Sequence, residues 1–198
     1  MGSLQRFKLD DFVVKYGLET FIETGTARGD SLAWAAQCPQ FKRLLSCEIE
    51  PLLAAGAICR FNDDPRVEIV RMESGRFISL IAWGQEEPAL YWLDAHYPGA
   101  GFGLAEYDAG LPDWQALPLA RELLQIAHGG LGGDVIIIDD LRIYETGDYT
   151  DGPLPEGTPG TPTENGADWI RELFAATHTA NKLLHDQGYL VLIPKGKS

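Results

Sequence analysis

The chain is short of the residues that make several functions easy to recognise. It has three cysteines, Cys38, Cys47 and Cys59, in 198 residues. An odd number without paired spacing supplies neither a disulfide framework nor a thiolate zinc site. Cys47 falls inside an apolar run and reads as a small buried hydrophobe. So few cysteines suit a reducing cytoplasm. Positive charge is also scarce: 16 Lys and Arg stand against 29 Asp and Glu, a formal net charge of -13. Such a surface repels nucleic-acid phosphates and anionic membranes, and excludes both as main partners. No apolar stretch reaches the ~18 residues of a membrane helix. The opening MGSLQRFKLDDF lacks the apolar core of a signal peptide. Internal repeats are missing, and so is a Gly-x-Gly-x-x-Gly turn.

What is present is an alternation of strand and helix signals. TFIETG (20–25), RLLSCEIE (43–50), RVEIVRMES (66–74), ALYWLDAH (89–96) and DVIIIDD (134–140) read as strands. The isoleucine-rich DVIIIDD predicts a strand buried on both faces, as in the middle of a parallel sheet. Between and after them lie helical segments: GDSLAWAAQCP, PLLAAGAICRFN with Pro51 in its first turn, GRFISLIAW, LPLARELLQIAHGG and ADWIRELFAAT. A short helix over LDDFVVKYG precedes the first strand, with Asp10 or Asp11 as its cap; Asp30 or Ser31 caps the helix after it. KLLHDQGYLVLIPK predicts two antiparallel strands joined at Asp186-Gln187-Gly188. The expectation is one α/β domain over residues 1–198, its mostly parallel sheet covered by helices on both faces. Two long Gly- and Pro-rich loops, 97–116 and 145–166, break the rhythm. Both follow strand C-termini, the edge where open α/β sheets bind ligands. The second, acidic loop reads as a solvated lid, and Trp114 in the first as a wall for a substrate. Trp34, Trp83, Trp92 and Trp169 read as core.

Each of the first five strands ends in acid: Glu23, Glu48 with Glu50, Glu73, Asp94, and Asp139 with Asp140. In a parallel sheet these ends share one edge. Glu23-Thr-Gly25-Thr26-Ala-Arg-Gly29 is a glycine turn that lets a ligand approach the backbone. Glu48 follows at the spacing of an acid that accepts hydrogen bonds from ribose hydroxyls. The glycine spacing fits a dinucleotide pyrophosphate poorly, and Glu23 suits a cationic ligand. Asp94, Asp139 and Asp140 converge if the fourth and fifth strands are neighbours. Three carboxylates there repel one another unless a cation lies between them. An oxygen-only set favours a hard divalent ion such as Mg²⁺.

FIETGTARGDSLAWA, SCEIEP, VRMES, LYWLDAH and VIIIDD together resemble a class I S-adenosylmethionine-dependent methyltransferase, over roughly residues 20–142 plus the closing hairpin. The pair LDAH and IDD is most similar to metal-dependent O-methyltransferases of the macrocin and sugar O-methyltransferase type. The resemblance implies a Rossmann-like sheet of seven strands. It implies Glu23, Gly25, Thr26, Gly29 and Ser31 around the methionine end of the cofactor, and Glu48 on its ribose. Glu73 and Ser74 flank the adenine, with Asp94 beside the cofactor; the family's Gly-Asp-Ser is here Met72-Glu73-Ser74. Asp94, Asp139 and Asp140 hold Mg²⁺ or another divalent cation, and Asp94 and His96 serve catalysis, with His96 as the base.

The expected activity is O-methylation of a small-molecule hydroxyl, on a sugar or natural product, by a cytoplasmic protein. Two rivals stand beside it: a nicotinamide-dependent reductase, and a module of this fold that binds cofactor without turnover. Arg142 binds substrate or neutralises the acid cluster. A homo-oligomer is left open.

Overall fold

The structure is a computed structural model. It describes residues 3–98, 102–104, 112–158, 160 and 162–196, and only the backbone of Asp113 and Trp114. The Trp114 wall therefore lies outside the described side chains. Much of the first long loop, 99–101 and 105–111, lies outside the described residues as well.

Seven strands form one sheet: β1 (Thr20–Thr24), β2 (Arg43–Glu48), β3 (Val67–Arg71), β4 (Ala89–Leu93), β5 (Val135–Ile138), β6 (His178–Leu183) and β7 (Tyr189–Pro194). Their order is β3-β2-β1-β4-β5-β7-β6. β1 to β5 run parallel; β7 pairs antiparallel with both β5 and β6. The strand order reverses between β1 and β4, which makes that junction the topological switch point. The expected fold class holds: a mostly parallel sheet of seven strands with an antiparallel C-terminal pair.

Side-chain alternation explains the two layers. Ile22, Leu45, Tyr91, Leu93, Ile136, Ile138 and Leu190 face one way. They pack on α4 (Ser74–Ala82), α6 (Leu119–Gly129) and α7 (Asp168–Leu173) through residues such as Phe77, Leu123 and Ile170. Their neighbours Phe21, Leu44, Leu90, Trp92, Ile137 and Tyr189 face α1 (Leu9–Tyr16) and α2 (Asp30–Ala35). Both faces of the inner strands are thus apolar, as the isoleucine run requires. α3 (Pro51–Arg60) connects β2 to β3, and α5 (Asp113–Ala116) is a short turn that the sequence pattern did not suggest.

Several local expectations are corrected. The N-cap of α1 is Lys8, with Asp10 and Asp11 inside its first turn. Gly29, in the left-handed region, caps α2 in place of Asp30 or Ser31. β6 begins at His178, four residues before the expected hairpin start. Trp83 is 65% exposed at the end of α4, where its indole N–H meets Gln125 Oε1 at 3.4 Å; it is not a core residue. The 145–166 segment is no free lid. Glu145 bridges to Thr163, Thr150 and Asp151 donate to the carbonyls of Leu184 and Asp186, and Tyr149 is buried. Arg171 and Lys182 both pair with the buried Glu145 carboxylate, anchoring the segment's start to α7 and β6.

Candidate active site

Along the sheet's C-terminal edge lies a cavity of about 260 Å³. It opens where β1 and β4 part, because the chain leaves those strands toward opposite faces. Among the described residues, four other than glycine have positive φ. Three of them, Ala27 (50°), Tyr97 (37°) and Asp140 (50°), line this cavity. Backbone held in this sparsely populated region concentrates at ligand sites.

The β1 turn is built by hydrogen bonds to one carbonyl. Gly25 and Thr26 both donate their backbone N–H to Cys47 O, at 3.0 Å each. Gly25 has φ +80°, and a Cβ there would lie 2.9 Å from Asp94 O and 3.1 Å from the Ala95 backbone. Only glycine lets the turn press against the end of β4. Gly29 acts elsewhere, since its missing side chain makes room for Phe61. Thr26 is buried, its hydroxyl 2.5 Å from Ser46 Oγ. Thr26, Gly29 and Ser31 are not among the residues that line the cavity.

Glu23 is likewise not among the residues that line the cavity. It is 0% exposed, with one oxygen accepting from Ser46 Oγ at 2.6 Å and the other without a hydrogen-bond partner. Burial pushes its pKa up to about 7, and the Ser46 hydroxyl only partly offsets this. A carboxyl raised in this way stays protonated in the folded chain where the unfolded chain has already ionised. The stability it confers is therefore full below about pH 4.5 and lost as pH rises through about 7. Urea unfolding without divalent cations is expected to show the chain losing about 3 kcal/mol through this group between pH 4.5 and 8. Glu23→Gln is expected to flatten that part of the curve. An unchanged slope in the variant would show that Glu23 is ionised when folded.

Glu48 does line the cavity. Its oxygens accept the N–H groups of Ala27 (2.8 Å) and Glu50 (2.9 Å), which fixes the carboxylate at the end of β2. Glu73 caps α4 by accepting from Gly75 and Arg76 and pairs with Arg121; Ser74 beside it is buried. Both reach the cavity wall at the β3 end.

The central cluster joins β4 and β5, which are hydrogen-bonded neighbours. Ligand atoms of Asp94, His96 and Asp140 all lie within 4.8 Å of one another. His96 Nε2 is 3.0 Å from Asp140 Oδ2, and its Nδ1 is 3.1 Å from the Asp94 carbonyl and 3.7 Å from Asp94 Oδ1. Asp140 Oδ1 is buried without a partner. Asp139 borders the same cavity but is not in this group; its Oδ1 accepts the N–H of Asp140 at 2.8 Å. Burial, then the charge of Asp140, raises the Asp139 pKa to about 8. Burial, then Asp139 and Asp140, holds Asp94 well above the usual carboxylate range. Burial opposes a charged His96, but the hydrogen bond and charge of Asp140 outweigh it and raise its pKa. Such crowding of acids is relieved by a cation. The orphaned Asp140 oxygen and the compact donor set fit a divalent ion, and with His96 the set suits Mn²⁺ as well as Mg²⁺.

Two features escaped the sequence reading. Glu122 on α6 is 1% exposed, has one oxygen unpartnered and lies behind the cluster with a pKa near 7, raised by burial. Its position offered a signal: Leu119, Glu122, Leu123 and Ile126 fall at i, i+3, i+4 and i+7, so an acid sits on the apolar stripe. The second is which residues of the long 145–166 segment, expected with 97–116 or a second subunit to form the substrate pocket, reach the cavity: Leu154, Pro155 and Thr158.

The fold is that of solved methyltransferase structures. Solved structures bear this likeness throughout the chain. A putative caffeoyl-CoA O-methyltransferase from Staphylococcus aureus superposes with a TM-score of 0.61 at 12% identity, covering 98% of this chain and 85% of its own. An O-methyltransferase from Bacillus cereus, in complex with S-adenosylhomocysteine, gives 0.61 at 19% identity, covering 98% and 83%. The tomaymycin-synthesis O-methyltransferase TomG from Streptomyces achromogenes, in complex with S-adenosylmethionine, gives 0.59 at 18% identity, covering 99% and 82%. No family model and no curated protein matches the sequence. No helix among the described residues is long and apolar enough to cross a membrane.

Proposed function

We propose that the protein transfers a methyl group from S-adenosylmethionine to a hydroxyl of a small molecule, with a divalent cation at the Asp94–Asp140 cluster. The observation that carries this reading is the sharing of one cavity by the fixed Glu48 carboxylate and the Asp94, His96 and Asp140 cluster, on either side of the glycine turn. Structures of this fold with the methyl donor or its demethylated product bound support it.

In this reading Glu48 accepts the ribose hydroxyls, Glu73 and Ser74 edge the adenine, and Gly25 admits the methionine end close to the backbone. Glu23, Thr26, Gly29 and Ser31 support that turn from behind. Asp94 and Asp140 hold the cation, with Asp139 completing the protein's share. S-adenosylmethionine supplies an electrophilic methyl, and a bound divalent cation lowers the pKa of a chelated hydroxyl. His96 is the proton acceptor: its Nδ1 is oriented by the Asp94 carbonyl, and Asp140 stabilises its charged form. The enclosing walls hold acceptor and donor in line, and positioning of that kind supplies much of the rate.

Calorimetry tests the reading. S-adenosylhomocysteine is expected to bind with micromolar affinity, and Glu48→Ala to weaken it roughly tenfold or more, the cost of a charge-assisted hydrogen bond. Mn²⁺ or Mg²⁺ is expected to bind in a way that Asp94→Ala abolishes. Absence of S-adenosylhomocysteine binding would sink the proposal.

A further inference from the structure

We infer that Arg142 makes the site selective for an acceptor that carries an anionic group, a carboxylate or a phosphate, in addition to its reacting hydroxyl. This rests on the methyl-transfer reading above and adds the class of acceptor to it. Among the described residues that line the cavity, Arg142 is the one lysine or arginine. It belongs to the 3-10 turn Leu141–Ile143 that follows the β5 acids. That turn is clamped: Leu141 and Arg142 donate their backbone N–H to the carbonyls of Gly188 and Gln187, each at 3.0 Å, and Leu141 and Ile143 are buried on either side.

The guanidinium is poorly satisfied for so well placed a side chain. Its five N–H donors make two contacts at the limit of a hydrogen bond, from Nη1 to the carbonyls of Gly152 and Pro153, both 3.5 Å. Nε is buried without a partner. Arg6, Arg60, Arg66, Arg121 and Arg171 each pair with a carboxylate. Arg142 makes no such pair with a described residue, although Asp139 and Asp140 precede it in the chain. It therefore does not neutralise the acid cluster by contact.

Its place along the sheet edge says which ligand it serves. The strands run β2, β1, β4, β5 across the site. Arg142, after β5, thus lies three strand spacings, roughly 14 Å, from Glu48 after β2. Asp94 and His96, after β4, stand between them. The adenosine end lies on the Glu48 side, so Arg142 faces what occupies the other side of the reacting centre. There the walls are Leu154, Pro155 and Thr158. Such a pocket suits an acceptor with an apolar body and an anionic end, which a guanidinium grips with charge-assisted hydrogen bonds.

The experiment measures binding of matched probes to the protein loaded with S-adenosylhomocysteine and Mg²⁺. 3,4-Dihydroxybenzoate is compared with neutral 3,4-dihydroxybenzamide for the carboxylate, and glucose 6-phosphate with glucose for the phosphate. The anionic member of at least one pair is expected to bind roughly tenfold or more tightly; the pair that responds identifies the anion. Arg142→Gln is expected to erase the preference and Arg142→Lys to keep part of it, both with unchanged affinity for S-adenosylhomocysteine. Equal binding within both pairs, no binding of either anion, or a preference surviving in Arg142→Gln overturns the inference. Weakened S-adenosylhomocysteine binding in Arg142→Gln also overturns it, by assigning the arginine to the donor's carboxylate. Failure of S-adenosylhomocysteine to bind the unaltered chain is a separate result that sinks the methyl-transfer reading; the anion preference is then measured without it.

Discussion

Asp140→Asn is expected to slow methyl transfer on the order of 10³-fold while leaving affinity for S-adenosylhomocysteine intact. The substitution is chosen to disturb little else. Asp140 has φ +50°, and asparagine is, with aspartate, one of the few residues besides glycine that adopt that conformation. Its backbone N–H still reaches Asp139 Oδ1. What is lost is one charge. A cation bound there would keep one fewer anionic ligand, and His96 Nε2 faces an amide where it faced a carboxylate 3.0 Å away. A second readout separates this from a purely structural effect. With a chelator present, the variant is expected to unfold at the same or a higher urea concentration than the unaltered chain, because one of three crowded acids is gone. With Mn²⁺ present the order is expected to reverse. Near-normal turnover in Asp140→Asn would remove the acid cluster from the mechanism.

Gly25→Ala is the second large effect, and it falls on stability. Forcing alanine to φ +80° costs about 1–2 kcal/mol, and overpacking against the end of β4 adds roughly 1–3 kcal/mol. The sum, about 2–5 kcal/mol, is a large share of the ~5–15 kcal/mol that holds a domain together. Gly17 supplies the control. It too has positive φ, +66°, but a Cβ there would meet nothing within 4 Å. Gly17→Ala is thus expected to cost only the backbone share, and the difference between the two midpoints in urea measures the pressure of β1 on Asp94 and Ala95. Any Gly25→Ala chain that folds is expected to bind S-adenosylhomocysteine poorly, since β1 and β4 must part to admit the methyl group. Equal losses in the two variants would mean that the turn and β4 are not in contact.

The strands were legible because their signal is local. An apolar run of four or five residues ending in acid states both its burial and its polarity, as in Val135–Ile138 before Asp139. The ligand-binding edge followed from the alternation of strands and helices; the switch point between β1 and β4 needed the strand order. The two layers of the core followed from the side-chain period of two. Long-range facts were not legible. Trp83 looked like core from its size, but whether it packs depends on where α4 ends against α6. Gly29 took the cap of α2 because the backbone there turns left-handed, a matter of how the turn meets Phe61. The acids of β4 and β5 could be grouped as a set, yet which oxygens point together is decided by the left-handed Asp140. That conformation brings His96 into the group and leaves Asp139 bonded to its neighbour's amide. Arg142 was visible as a basic residue beside two acids; that no described carboxylate pairs with it could be seen only once the 145–166 segment was in place.

The position of β7 has a consequence for how the chain comes off the ribosome. It covers the edge of β5, from which it is separated by roughly fifty residues of sequence. At about 5–20 residues per second of synthesis, that edge stays unpaired for roughly 3–10 s, with Val135 to Ile138 offering open backbone to any passing strand. The turn that carries Arg142 is bonded to the carbonyls just ahead of β7, so it too must wait. Nascent chains halted within this interval therefore present a sticky strand and a half-built pocket, and an attendant chaperone has a defined few seconds in which to shield them.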